Sequence, residues 1–125
     1  GEKIRHPVGD KREKTNDDCY MFALDNEYII DATFYGNKAR YINHSCDPNL
    51  KSDKLVINGE THIIFYALRH IEKAEELCFD YQFDYEEKKI ECFCMAKNCK
   101  GRLTEDLYLI FKKFYLDCRG VLGFW

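Results

Sequence analysis

Three cysteines within eight residues, Cys92-Phe93-Cys94 followed by Cys99, constrain this chain more than any other stretch. Thiols so crowded pair as disulfides, hold a metal or stay unliganded. Seven cysteines with no legible secretory leader favour a reducing compartment, and their clustering favours metal over a disulfide framework. A structural zinc site takes four tetrahedral ligands, so Cys-x-Cys-x4-Cys needs a fourth donor from elsewhere in the chain.

Size and composition narrow the rest. At 125 residues the chain supports one core, and 46% hydrophobic with 33% charged residues is ordinary for a globular domain. No apolar run approaches the ~20 residues of a membrane span. A formal charge of −3 argues against an autonomous nucleic-acid surface, and a mildly acidic surface suits a basic peptide partner. Aromatic residues reach 15%, which fits either a tyrosine-rich core or an aromatic channel.

The chain reads as short strands. Residues 1–18 are strongly charged around Asp10-Lys11-Arg12-Glu13-Lys14 and predict a loop with at most a short helix. Cys19-Tyr20-Met21-Phe22-Ala23-Leu24 and Tyr28-Ile29-Ile30-Asp31-Ala32 predict two strands about an Asp25-Asn26-Glu27 turn. Asn58-Gly59, between Leu55-Val56-Ile57 and residues 61–67, predicts a hairpin, because a type I′ turn requires φ > 0 at both central residues. A turn through Glu72-Lys73-Ala74-Glu75 leads to a short strand at residues 77–79. Beyond Leu103, the spacing of Leu107, Ile110, Phe111 and Phe114 predicts an amphipathic helix over residues 107–118.

Two further stretches join the cysteines: Arg40-Tyr41-Ile42-Asn43-His44-Ser45-Cys46-Asp47-Pro48-Asn49 and Glu76-Leu77-Cys78-Phe79-Asp80-Tyr81. In this order the three resemble the SET domain of protein-lysine methyltransferases with its cysteine-rich post-SET tail, from Gly1 to about Leu103. The N-terminal wording, Gly1-Glu2 through Asp10-Lys11-Arg12-Glu13-Lys14, resembles the trithorax-like branch. Leu50, Phe79 and Gln82-Phe83 lean toward other branches. The implied fold is mainly β, with short curved strands and a pseudo-knot in which residues 76–81 run beneath the loop holding Asn43-His44. The implied organisation is a SET region at residues 1–85, a post-SET zinc motif at 86–103 and an extension at 104–125 that carries the helical spacing. The family's first strands, with a Gly-x-Gly stretch and a further tyrosine, fall upstream of Gly1. The resemblance therefore implies a fragment or a decayed copy. Ala74 stands where the family favours Gly, so a turn needing φ > 0 there is strained.

The resemblance also implies chemistry. Cys46 supplies the fourth zinc ligand beside Cys92, Cys94 and Cys99, which leaves Cys19, Cys78 and Cys118 as small buried hydrophobes. S-adenosylmethionine presents a methyl group to in-line attack by a neutral amine. A lysine, with ordinary pKa about 10.4, must then be desolvated in an apolar channel and aligned. Tyr81 is the implied tyrosine beside the transferring methyl. Asn43 and His44, preceded by Arg40 and Tyr41, are implied to hold the cofactor. Tyr20 is either a channel tyrosine or part of an alternating core strand. Phe79, where the family varies between Phe and Tyr, lacks a hydroxyl to restrict the amine and implies di- or trimethylation. The implied protein is a nuclear, chromatin-associated histone-lysine N-methyltransferase acting on the histone H3 tail, with chromatin-complex subunits as further partners. The alternative is a non-catalytic, zinc-bearing SET remnant that binds a peptide or partner.

Overall fold

The computed structural model describes residues 1–16, 20–83 and 90–104. Its elements in chain order are β1 (Glu2–Arg5), α1 (His6–Glu13), β2 (Met21–Ala23), β3 (Tyr28–Asp31), a 3-10 turn (Lys38–Tyr41), β4 (Asn43–His44), β5 (Leu50–Ile57), β6 (Glu60–Ala67) and β7 (Cys78–Phe79). The mainly β architecture expected from the sequence is present. The chain forms two compact units, one of Gly1–Asn43 with Asn49–Cys78 and the other of His44–Pro48 with Phe79–Trp125. The amphipathic helix predicted for residues 107–118 lies outside the described residues, as do Cys19 and Cys118.

In the first unit an antiparallel sheet has the order β1-β3-β2. Its β2–β3 turn forms as predicted: Asp25 Oδ1 accepts from the backbone N–H of Glu27 (2.8 Å) and of Tyr28 (2.7 Å), fixing the reversal locally. The N-terminal stretch differs from the sequence expectation, since residues 2–5 are a strand and not loop. Burial along β1 alternates, with Glu2 and Ile4 half-buried and Lys3 and Arg5 exposed. That period of two was hidden because one inward position is a carboxylate. Arg12 makes Glu2 tolerable there, donating to Glu2 Oε2 at 2.9 Å and to Asp31 Oδ2, at 0% exposure, at 2.6 Å. The helix α1 has no apolar stripe. It is held by this ion group and by Gly9, its one buried residue, where an added Cβ would lie 2.1 Å from Ile29 Cδ1.

The Asn58-Gly59 hairpin also forms, with φ of 51° and 82° at the turn. Its first strand is longer than the apolar run suggested, pairing from Leu50↔Ala67 to Ile57↔Glu60. After β6, Ala74 takes φ 68°, the left-handed conformation that the sequence flagged as strained. An L-residue pays about 1–2 kcal/mol there. Ala74→Gly is therefore expected to stabilise the fold by about 1 kcal/mol, less the entropy Gly adds to the unfolded chain. The check is a higher denaturant midpoint at unchanged m-value.

That turn presents Glu75 to Arg69, to the Asn49 amide (2.8 Å) and to the Glu72 backbone N–H (3.0 Å). Together, with Arg69 foremost, they hold its carboxyl down at about 2. Asn49, only 3% exposed, also donates to Glu76 O at 2.7 Å and accepts from the Cys78 N–H at 2.9 Å. One buried amide thus binds the start of β5 to the run entering β7.

In the second unit the Ser45 N–H donates to Phe79 O at 3.1 Å. The tail closes on itself through Cys92 N–H to Gly101 O (3.2 Å), Leu103 N–H to Ile90 O (2.9 Å) and a Glu91↔Arg102 bridge. A parallel bridge between Phe83 and Thr104 ties it to the segment after β7.

Candidate functional site

The sulfur atoms of Cys46, Cys92, Cys94 and Cys99 all lie within 4.8 Å of one another in the second unit. Cys46 Sγ and Cys92 Sγ are 3.8 Å apart. Zinc bound tetrahedrally at Zn–S of about 2.3 Å sets its sulfurs ~3.8 Å apart, so the donor set fits that ion. Backbone N–H groups already face the sulfurs: Cys46 to Cys94 Sγ (3.4 Å), Lys100 to Cys46 Sγ (3.5 Å) and Gly101 to Cys99 Sγ (3.4 Å). Gly101 achieves this at φ 72°, which a side chain would disfavour. Four negative charges this close would repel one another without a cation. Burial pushes Cys92 up to about 12, while N–H groups of Cys46 and Ala96 hold Cys94 down at about 6. A divalent metal relieves that conflict by replacing the protons.

Beside the thiols is an aromatic group. The Tyr81 ring lies 5.3 Å from His44, 4.8 Å from Phe79 and 5.4 Å from Phe83, centroid to centroid. Phe79 is 8% exposed. The Tyr81 backbone N–H donates to His44 Nδ1 at 3.1 Å, and His44 Nε2 lies 3.4 Å from Cys46 Sγ. Burial holds the His44 imidazole below its ordinary pKa. Asp80 stands between two side chains, with Oδ1 3.7 Å from His44 Nδ1 and Oδ2 3.7 Å from Lys100 Nζ.

The other residues singled out in the sequence belong to the first unit. Arg40 lies over the rings of Tyr20 (4.4 Å) and Tyr41 (5.3 Å), and its Nη2 donates to Thr33 O at 2.9 Å. Tyr20 precedes β2 and is half-buried; Tyr41 is 68% exposed. The Asn43 amide donates to Glu76 Oε1 at 2.7 Å. Sequence reasoning passed over Glu76, Asp80, Phe83 and Lys100. Glu76, Asp80 and Phe83 lie within the stretches named above and Lys100 adjoins one, but only the folded contacts give them a part.

Residues 1–82 match the SET domain family. The chain belongs to the SET-domain family. Histone-lysine N-methyltransferase trithorax of Drosophila virilis is 49% identical to this SET domain over 108 residues, 83% of this chain and 3% of that protein. Histone-lysine N-methyltransferase SETD1B of Homo sapiens is 43% identical over 109 residues, 83% of this chain and 6% of that protein. The chain thus spans a small fraction of these curated relatives. Among solved structures, KRYPTONITE in complex with mCHG DNA and SAH resembles it with a TM-score of 0.66 and 32% identity, over 82% of this chain and 22% of that one. The trithorax-like wording of the N-terminus agrees with these relatives.

Proposed function

We propose that this SET domain transfers a methyl group from S-adenosylmethionine to a lysine of the histone H3 tail, within a nuclear, chromatin-associated protein that works with complex subunits. The observation that carries the reading is the juxtaposition, inside one compact unit, of the four-thiol centre with the His44, Phe79 and Tyr81 group. The relatives' names support the substrate class, and the SAH bound by KRYPTONITE supports the cofactor. Residues 1–85 form the SET region, 86–103 the zinc-bearing tail and 104–125 an extension.

The cofactor supplies an electrophilic methyl on a sulfonium; the chain supplies position and dryness. Rings of Tyr81 and Phe79 make an apolar wall that disfavours the ammonium form of an entering lysine. The Tyr81 hydroxyl orients the amine for attack. Asn43 and His44 hold the cofactor, with Arg40 and Tyr41 preceding them. Tyr20 lies under the Arg40 guanidinium, and the family resemblance gives it the place of a channel tyrosine. Zinc on Cys46, Cys92, Cys94 and Cys99 fixes the tail and leaves the transfer chemistry to these side chains.

The test incubates the full-length, zinc-loaded protein with S-adenosylmethionine and histone H3 and maps methyl marks by mass spectrometry. Tyr81→Phe is expected to lower the rate at least about a hundredfold with cofactor affinity nearly kept, as when a group acting mainly in the transition state is removed. Phe79→Tyr is expected to shift product from tri- and dimethyl toward monomethyl-lysine, and an unchanged distribution would refute that role. No marks and no cofactor binding would leave a zinc-bearing binding module instead.

A further inference from the structure

We propose that the His44 imidazole, as its Nε2–H tautomer, is a positioning residue that joins the metal-binding thiolate of Cys46 to the backbone of Tyr81. The inference rests on the reading of the four thiols as a zinc site and of Tyr81 as the tyrosine at the transfer site. The tautomer follows from the partners. Tyr81 donates its backbone N–H to Nδ1 at 3.1 Å, so Nδ1 must be bare. A neutral ring then carries its proton on Nε2, and the atom facing Nε2 is Cys46 Sγ at 3.4 Å. That distance suits N–H donation to sulfur, and the Lys100 N–H reaches the same sulfur at 3.5 Å. Asp80 does not compete for the ring. Its Oδ1 lies 3.7 Å from Nδ1 and accepts from the Gln82 N–H at 3.1 Å, while its Oδ2 faces Lys100 Nζ. The His44 side chain is 8% exposed, so water has little room to replace either bond.

The consequence is directional. A thiolate held by a metal is a fixed acceptor, whereas a free thiol rotates and carries its own proton. Metal loading therefore fixes the ring plane of His44, and the ring fixes the Tyr81 backbone at its N–H. Partners of this kind, one bond removed from the ion, typically change metal affinity ~10–100-fold when lost. The two ends of the imidazole can be separated by substitution, because Gln places an amide near Nε2 and Asn places one near Nδ1.

The experiment uses the full-length protein loaded with cadmium-113 in place of zinc, with nitrogen-15 in its histidines. A proton–cadmium correlation is expected to show coupling from the metal, through Cys46 Sγ, to the Nε2–H of His44, and the nitrogen shifts are expected to show a bare Nδ1. In His44→Gln the coupling should move to a side-chain amide proton; in His44→Asn it should vanish while cadmium stays bound to four sulfurs. Chelator competition should then show a loss of zinc affinity of about tenfold or more for His44→Asn and a smaller loss for His44→Gln. Cadmium on four sulfurs with no coupling to His44, or a ring protonated on Nδ1, overturns the proposal and leaves the zinc reading intact. Cadmium that does not engage the four cysteines overturns both. The wild-type spectrum decides the matter even if a variant fails to fold.

Discussion

Stripping the metal with a chelator, or replacing Cys92 by serine, is expected to unfold residues 90–104 and to reduce methyl transfer to background. The tail has few other reasons to hold its shape. Cys92 is the buried apolar residue that the described tail contributes to the core, and Phe93 and Met95 are 78% and 94% exposed. Its internal order is a few backbone hydrogen bonds around a tight loop with φ 55° at Met95 and 72° at Gly101. Apparent binding energies of structural zinc in small peptides, about 10–16 kcal/mol, far exceed what such a loop provides alone. Hydrogen exchange should show the amides of Cys92, Cys99 and Leu103 losing protection on chelation, while those of the β1-β3-β2 sheet keep theirs. Restoring zinc should restore both protection and turnover. Unchanged exchange in the tail would mean that the four thiols do not depend on a metal.

Asn49→Ala should be a strongly destabilising single change away from the cysteines. The amide makes three bonds from a site 3% exposed, to Glu75 Oε1, to Glu76 O and from the Cys78 N–H. Truncation removes the bonds to the Cys78 N–H and the Glu76 carbonyl, at ~1–3 kcal/mol each, and one of the contacts that orient Glu75. The expected loss is on the order of 3–5 kcal/mol, a large share of the ~5–15 kcal/mol that holds a domain together. Asn49→Asp should not rescue it. The carboxylate could still accept from Cys78, but it would set a negative charge against Glu75 and the Glu76 carbonyl. Denaturant midpoints at constant m-value measure both variants. A loss below about 1 kcal/mol for Asn49→Ala would mean that the surrounding groups find other partners.

What could be read from the sequence depended on how local each cause was. The Asn58-Gly59 hairpin was legible because its turn is decided by two residues and their φ. The Asp25 turn was legible for the same reason. Strand β1 was not, because its inward Glu2 is acceptable only once Arg12, ten residues on, has folded back to meet it. Three of the thiols announced themselves by crowding. Cys46 is 46 residues from Cys92, a separation that carries no local signal, and it was named only through the family resemblance. The strain at Ala74 was legible by the same route. The roles of Asp80 and Lys100 could not be seen at all, since each depends on where the other's loop ends up.

The 46 residues that separate Cys46 from Cys92 also set an order of events on the ribosome. At roughly 5–20 residues per second, Cys46 emerges some 2–9 s before its first thiol partner is synthesised. Throughout that interval the strands from β1 to β6 can pair, while Cys46 waits as an uncapped thiol. The centre can therefore close only after every strand from β1 to β7 has been made. A pause or an oxidant in that window would meet a nascent chain whose strands can already pair but whose Cys46 still has no thiol partner.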